Sequence, residues 1–184
     1  MDNRFILRRA IDTDNVTLAE LNQQTFIEAY VEDLAIPFSE EQLQSYFRTS
    51  VSPQYFAKKI ADSQQSIWVV EDKTSGELVA FANVGRCEIF HPESRIDEDG
   101  EIYRLYVRRN YQGYGLGRWL MNVILSWFEE QYPRRPIWLG VWIGNLKAQN
   151  LYKHYNFYIV GDREFDVGGY KCHSKIMRRD SSSS

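Results

Sequence analysis

Cysteine and histidine are scarce in this chain of 184 residues, which has two of the first and three of the second. Cys87 and Cys172 lie far apart without metal-type spacing, and His91, His154 and His173 are scattered, so neither a metal site nor a disulfide framework is expected. That usage fits a reducing, cytoplasmic setting. Long hydrophobic runs are also missing. No stretch approaches the roughly 18 apolar residues of a membrane span, and Met1 to Ala10 does not read as a signal peptide, so no membrane association is expected. Neither sign of charge dominates: 22 Lys and Arg face 25 Asp and Glu, a net −3. A nucleic-acid partner would need clustered basic residues and is not expected, whereas a small anionic ligand needs only a local site.

What is present describes one α/β domain over residues 1–180, with the terminal serines 181–184 read as a disordered tail. The composition is 43% hydrophobic and 15% aromatic, enough for a substantial core without metals or disulfides. Arg4 to Ala10 reads as a strand. A helix follows from about Asp14, with Leu18, Leu21, Thr25 and Ala29 at helical spacing. "FSEEQLQSYF" carries a capping-box signature, Ser39 with Gln42, and "SPQYFAKKIAD" places Ser52 as N-cap before Pro53. Two strands, "SIWVVED" and "ELVAFANVGR", are joined by a turn at Lys73 to Gly76. Glu88 to Gly100 is polar and reads as a solvated loop. "EIYRLYV" (101–107) is another strand, and Leu116 to Phe128 a helix whose apolar face runs through Trp119, Leu120, Val123, Ile124 and Trp127. After Pro133 and Pro136, "IWLGVW", "NLKAQNLYKHY", "FYIVGDREF" and "YKCHSKIM" read as strand, helix and two strands. The order β–α–α–α–β–β–β–α–β–α–β–β predicts a mixed, mostly antiparallel central sheet flanked by helices.

The most pointed local signal is "QGYGLGRW", with Gly113, Gly115 and Gly117 alternating just before the clearest helix. Glycine weakens regular structure, so three in five positions suggest a backbone that a ligand approaches closely. A helix start offers unpaired N–H groups and the positive end of the dipole, which suits a phosphate. A Walker-type loop fails, because Gly117 is followed by Arg118 and Trp119 where Lys and Ser/Thr are required. A dinucleotide fingerprint fails on spacing and on the hundred or so residues before the motif. A glycine-rich turn without a ligand is the bland alternative.

Gln112-x-x-Gly115-x-Gly117 resembles the Q/R-x-x-G-x-G/A loop of the GNAT N-acetyltransferase superfamily, and the resemblance extends from Glu101 to about Phe157. In that family the loop cradles the pyrophosphate of acetyl-coenzyme A. The resemblance implies that Gln112, Gly113, Tyr114, Gly115, Leu116, Gly117 and Arg118 bind the coenzyme phosphates. It further implies that the splayed-strand backbone at Leu105, Tyr106 and Val107 meets the pantetheine arm and that Asn145 binds its amides. Tyr152, seven residues after Asn145 and on the same helix face, resembles the family's general acid, and Tyr155 is its rival. Glu101, eleven residues before Gln112, stands where some members place a general base. Its alternatives are a strand-edge charge or a water in that role, and Tyr103 on the same strand face either assists or packs. Arg108 and Arg109 flank the loop as further candidate phosphate contacts or plain surface cations. "IWLGVW" has a narrower likeness to bacterial spermine/spermidine N-acetyltransferases.

The expected function is therefore transfer of acetyl from acetyl-coenzyme A to an amine by direct attack, with no metal and no covalent enzyme intermediate. Cys172 lies beside His173, but adjacent strand residues face opposite ways, so no Cys–His nucleophile is expected. A small polyamine is the first expected acceptor, with Glu28, Glu32 and Asp33 only loosely placed to supply an acidic pocket. A protein N-terminus or lysine comes second, and an aminoglycoside or amino-acid-like amine third. Alternatives are a non-catalytic coenzyme-A-binding regulatory module and, outside the family, a nucleotide-binding protein. Scattered aromatics make a homodimer unsurprising.

Overall fold

The computed structural model describes residues 4–181, so most of the serine tail read from the sequence lies outside the described residues. Its strands are β1 (Phe5–Arg9), β2 (Gln65–Asp72), β3 (Glu77–Arg86), β4 (Gly100–Val107), β5 (Ile137–Trp142), β6 (Tyr158–Val167) and β7 (Tyr170–Arg179). They form one sheet in the order β1-β2-β3-β4-β5-β7-β6. Each neighbouring pair is antiparallel except β4 and β5, which run parallel. The helices are α1 (Asn15–Phe26), α2 (Glu40–Ser50), α3 (Pro53–Ala61), α4 (Leu116–Gln131) and α5 (Leu146–His154), in the order the hydrophobic periodicity predicts.

Local chemistry starts the helices where the sequence places the caps. The Ser39 N–H donates to Gln42 Oε1 at 2.9 Å while Ser39 Oγ accepts from the Gln42 N–H at 3.2 Å. Ser52 Oγ accepts the Tyr55 N–H at 3.1 Å, leaving Pro53 at a position where its missing donor costs nothing. Helix α4 buries Leu116, Leu120, Met121, Ile124, Leu125 and Phe128 against Ala80, Ala82, Val84, Ile102 and Leu139 of the sheet. The stripe is rotated from the expected one: Met121 and Leu125 are inside, while Val123, Trp119 and Trp127 flank it half-buried. A helix on a twisted sheet buries a broad stripe, and the large indoles cover its edges. The second apolar layer, around Leu18, Phe26, Tyr46, Phe56, Val69 and Phe81, joins α1, α2 and α3 to the other side of β2 and β3.

Two segments differ from expectation. Glu88 to Gly100 is not simply a solvated loop, since Ile89 and Asp99 are buried. Asp99 Oδ2 accepts from the Trp138 indole at 2.9 Å and from the Arg95 N–H at 3.0 Å, so the polar residues satisfy backbone and indole groups beneath the loop. Helix α1 also continues beyond Phe26 as a wider, π-wound segment, Ile27–Asp33. The Leu34 N–H closes it on the Ala29 carbonyl at 3.1 Å, and the Ile36 N–H bonds to the Tyr30 carbonyl at 3.0 Å. Such windings occur often beside functional sites.

The β6–β7 turn is pressed against α2. A Cβ on Gly168, at φ +58°, would meet the Gln42 carbonyl oxygen at 2.0 Å, whereas one on Gly169, at φ +95°, would meet nothing within 4 Å. Both positions are strained for an L side chain, but only Gly168 adds a collision with backbone. Gly168→Ala is expected to lower unfolding stability by about 2 kcal/mol more than Gly169→Ala, read by urea titration. Equal losses would show that the turn is not held against α2.

Candidate active site

β4 and β5 pair at only three positions, Gly100 with Ile137, Glu101 with Trp138 and Ile102 with Leu139. Beyond that point β4 follows β3, β5 follows β7, and a wedge opens between them. The β3–β4 register slips between Asn83 and Val84, which leaves Tyr103 as an extra residue on β4 at the root of the wedge. A bulge bends its strand and increases local twist, which accounts for the parting. The result is a cleft of about 790 Å³, lined by β4 from Ile102 to Val107, by Gly140 and Val141, and by the residues that follow each strand.

The glycine loop closes one end of this cleft. Gly113 and Gly115 have φ of +91° and +78°, and Gly115 is the N-cap of α4. A Cβ on either would find open space, so no contact within the protein demands glycine there; the backbone conformation does. Glycine offers no capping side chain, and the first bond of the helix is Trp119 N–H to the Gly115 carbonyl at 3.0 Å. Among the described residues, the backbone N–H groups from Gly113 to Arg118 have no hydrogen-bond acceptor. A run of free donors at a helix start is an anion cradle. Gln112 is fixed beside it, donating from Nε2 to the Val107 carbonyl at 3.3 Å and accepting from Lys147 Nζ at Oε1.

Across the wedge, Asn145 caps α5, its Oδ1 accepting the Ala148 N–H at 3.1 Å, so only its Nδ2 is left to meet a ligand in the cleft. One face of α5 presents Tyr152 to the same cleft, its ring held edge-on against Phe157 at 5.9 Å. Tyr152 is buried, and loss of water pushes its phenol pKa well above the usual value, so the hydroxyl keeps its proton at neutral pH. Tyr155 is turned away. Its hydroxyl donates to Asn122 Oδ1 at 3.1 Å and lies 3.3 Å from the Arg118 carbonyl on α4.

Of the residues given a coenzyme-binding or catalytic role from the sequence, all line the cleft except Glu101 and Tyr114, whereas the rival Tyr155, the flanking Arg108 and Arg109, and Glu32 do not. The Tyr114 ring stacks edge-on with Phe5 at 5.5 Å, under the Arg4 guanidinium. Glu101 points to the loop that precedes β4, where Oε2 accepts the N–H groups of Glu88 at 2.7 Å and Ile89 at 3.1 Å. Burial is the main cause that raises its carboxyl pKa to about 7. Tyr103 lines the cleft and donates from its hydroxyl to the Arg86 carbonyl. Among the flanking cations, Arg118 lines the cleft, whereas Arg108 pairs with Glu77 at 3.3 Å.

The acidic trio behaves differently from the pocket envisaged. Arg109 gathers all three: its N–H meets Glu28 Oε2 at 2.8 Å, and its guanidinium meets Glu32 Oε2 and Asp33 Oδ1, each at 2.7 Å. The carboxylates therefore tie the π-wound segment to the strand–loop junction. The other half of the cleft contains residues the sequence did not single out, namely Thr25, Tyr30, Leu34 and Arg104. They sit on α1, just after it, or on β4, and their convergence depends on the winding of residues 27–33, for which no cap or glycine gives a signal.

No described residues form a group of three His, Cys, Asp or Glu able to hold a metal ion, and no helix among them is long and apolar enough to cross a membrane. Both thiols are buried, and desolvation is the main cause that raises Cys87 to about 12 and Cys172 to about 11. In a solved structure from Thermoplasma acidophilum, PaiA N-acetyltransferase in complex with coenzyme A, the same architecture recurs with a TM-score of 0.72 at 19% identity, covering 98% of this chain and 99% of that one. An uncharacterized N-acetyltransferase of Mycobacterium bovis is 28% identical over 91% of this chain and 98% of its own length. The spermine/spermidine N(1)-acetyltransferase of Bacillus subtilis is 28% identical over 50% of this chain and 59% of its own. Residues 25–157 match the acetyltransferase (GNAT) family, taking in the strand wedge, the glycine loop and the Tyr152 helix. This chain is thus an acetyl-coenzyme-A-dependent N-acetyltransferase of the GNAT family.

Proposed function

We propose that the protein acetylates a small primary amine by direct attack within a ternary complex, with the unpaired N–H run from Gly113 to Arg118 as the observation that carries the reading. Those donors suit the coenzyme pyrophosphate, with Gln112, Leu116, Gly117 and Arg118 around it and Tyr114 contributing its backbone N–H alone. The open edge of β4 at Leu105, Tyr106 and Val107 offers backbone partners to the pantetheine arm, and Asn145 offers its Nδ2. In the reaction the amine nitrogen bonds to the thioester carbon, the C–S bond breaks, the amine gives up one proton and the departing sulfur takes one. Tyr152 supplies that second proton: it lines the cleft, its hydroxyl has no hydrogen-bond partner among the described residues, and it remains a phenol at neutral pH. Buried thiols with raised pKa values leave no ready nucleophile for a covalent route, and they suit a reducing cytoplasm.

Glu101 is the base in this proposal, acting through solvent because its carboxylate does not reach the cleft. A pKa of about 7 suits the role, being close to working pH. For the acceptor, the curated spermine/spermidine relative favours a polyamine, while the engagement of Glu28, Glu32 and Asp33 by Arg109 weighs against a strongly polycationic guest.

Tyr152→Phe is expected to cut kcat by about a hundredfold or more while leaving acetyl-coenzyme A affinity within about threefold, measured by thiol release and by calorimetry. Unchanged kcat would remove Tyr152 from the proton step. Glu101 also carries a stability signature. Its pKa rises from an ordinary 4.5 to about 7 on folding, so the unfolded chain loses this proton first as pH increases. Wild type therefore loses stability between those values, and Glu101→Gln does not. The variant should gain roughly 2 kcal/mol relative to wild type between pH 5 and pH 8, read from thermal unfolding at both. A constant difference would mean that Glu101 titrates normally.

A further inference from the structure

Arg104 is the cation that faces the amine half of the cleft, and it has no acidic partner among the described residues. It lies on β4 just past the bulge, and its guanidinium donates from Nη1 to Asn22 Oδ1 and from Nη2 to the Ser50 carbonyl, both at 2.7 Å. The rings of Tyr55, at 4.8 Å, and Phe56, at 5.6 Å, complete its surroundings. All of these partners are neutral, so a half-buried positive charge remains uncompensated. Tyrosines stand around it. Tyr46, 5% exposed, feels the Arg104 charge, and Tyr106 interacts with both Arg104 and the Tyr30 hydroxyl. The nearby carboxylates Glu28 and Asp33 are spent on Arg109.

Resting on the transferase reading above, we infer that the acceptor is an amine that also carries a carboxylate, and that Arg104, helped by the tyrosine hydroxyls, binds that carboxylate. A fixed guanidinium among phenols is a carboxylate site by charge and by hydrogen-bond type, since the guanidinium and the hydroxyls can all donate while the acidic side chains nearby are held by Arg109. A polyamine would place a second cation beside Arg104 and pay for the like charge in a partly dry cleft. The site therefore selects an amino-acid-like amine over the same amine without its carboxylate.

Matched acceptors test this: ornithine with putrescine, lysine with cadaverine, and phenylalanine with phenethylamine, each pair differing by one carboxylate. Thiol release from acetyl-coenzyme A gives kcat/KM for each. Wild type should favour the carboxylate member of the accepted pair by about tenfold or more. Asn22→Asp is the decisive variant. Asn22 Nδ2 is buried without a partner, so the change loses no hydrogen bond, keeps Arg104 in place and neutralises it. The preference should collapse in Asn22→Asp and in Arg104→Gln, and survive in part in Arg104→Lys; a coenzyme-induced rise in Tm shows that each variant is folded. A preference unchanged in Asn22→Asp, or a wild-type preference for the carboxylate-free amines, would make Arg104 a strut between α1 and α2 and overturn the inference alone. No transfer to any acceptor while the coenzyme still binds would overturn the small-amine reading and this inference together.

Discussion

Once β4 and β5 stop pairing after Ile102 and Leu139, both strands are left with an unsatisfied edge inside the molecule. Backbone groups deprived of partners and of bulk water are costly, so a fold keeps such a gap only where something else completes it. Here the gap is produced by a single extra residue at Tyr103 and braced by strong pairing on the outer sides, β4 to β3 and β5 to β7. The helices α4 and α5 follow directly from the parted strands, so the free N–H groups at Gly113 to Arg118 and the Tyr152 hydroxyl are brought to the same wedge. The cleft proposed for the coenzyme is in this sense a sheet defect, placed between two well-packed apolar layers that hold it open.

Charge is distributed unevenly across that wedge. Arg109, shortly before the glycine loop, collects Glu28, Glu32 and Asp33 and fastens the segment after α1 to the chain leading from β4 into that loop. Arg109, Glu32 and Asp33 are exposed, so these pairs add little to stability. Deeper in, Arg104 has neutral partners and keeps its field. An acidic composition at the surface thus coexists with an inward-facing positive charge, which net charge alone does not reveal.

The parts legible in the sequence are those governed by local rules. Ser39, Gln42 and Ser52 announce helix starts because capping is settled within four residues, and α4 announces itself through a periodicity that few other structures satisfy. The glycine loop was legible because positive φ and free donors leave a compositional trace at Gly113 and Gly115. Side-chain direction was not. Whether Glu101 faces the cleft or the preceding loop depends on how residues 87–99 fold back over the sheet, and whether Tyr114 meets a ligand depends on Phe5, more than a hundred residues away. The side of the cleft proposed for the acceptor was hidden for the same reason: Tyr30 and Arg104 come together there only through the π-wound segment and the bulge, and neither leaves a local signature.

The claim on which the rest stands is that acetyl-coenzyme A occupies the wedge between β4 and β5, and melting temperature with and without it tests this most directly. At about a hundredfold above the dissociation constant, binding adds roughly 2.7 kcal/mol, which for a chain of this size is an increase of about 5–11 °C. The account predicts that increase with acetyl-coenzyme A and none with ATP or NAD at the same concentration. No shift with the coenzyme, or an equal shift with ATP or NAD, would contradict it.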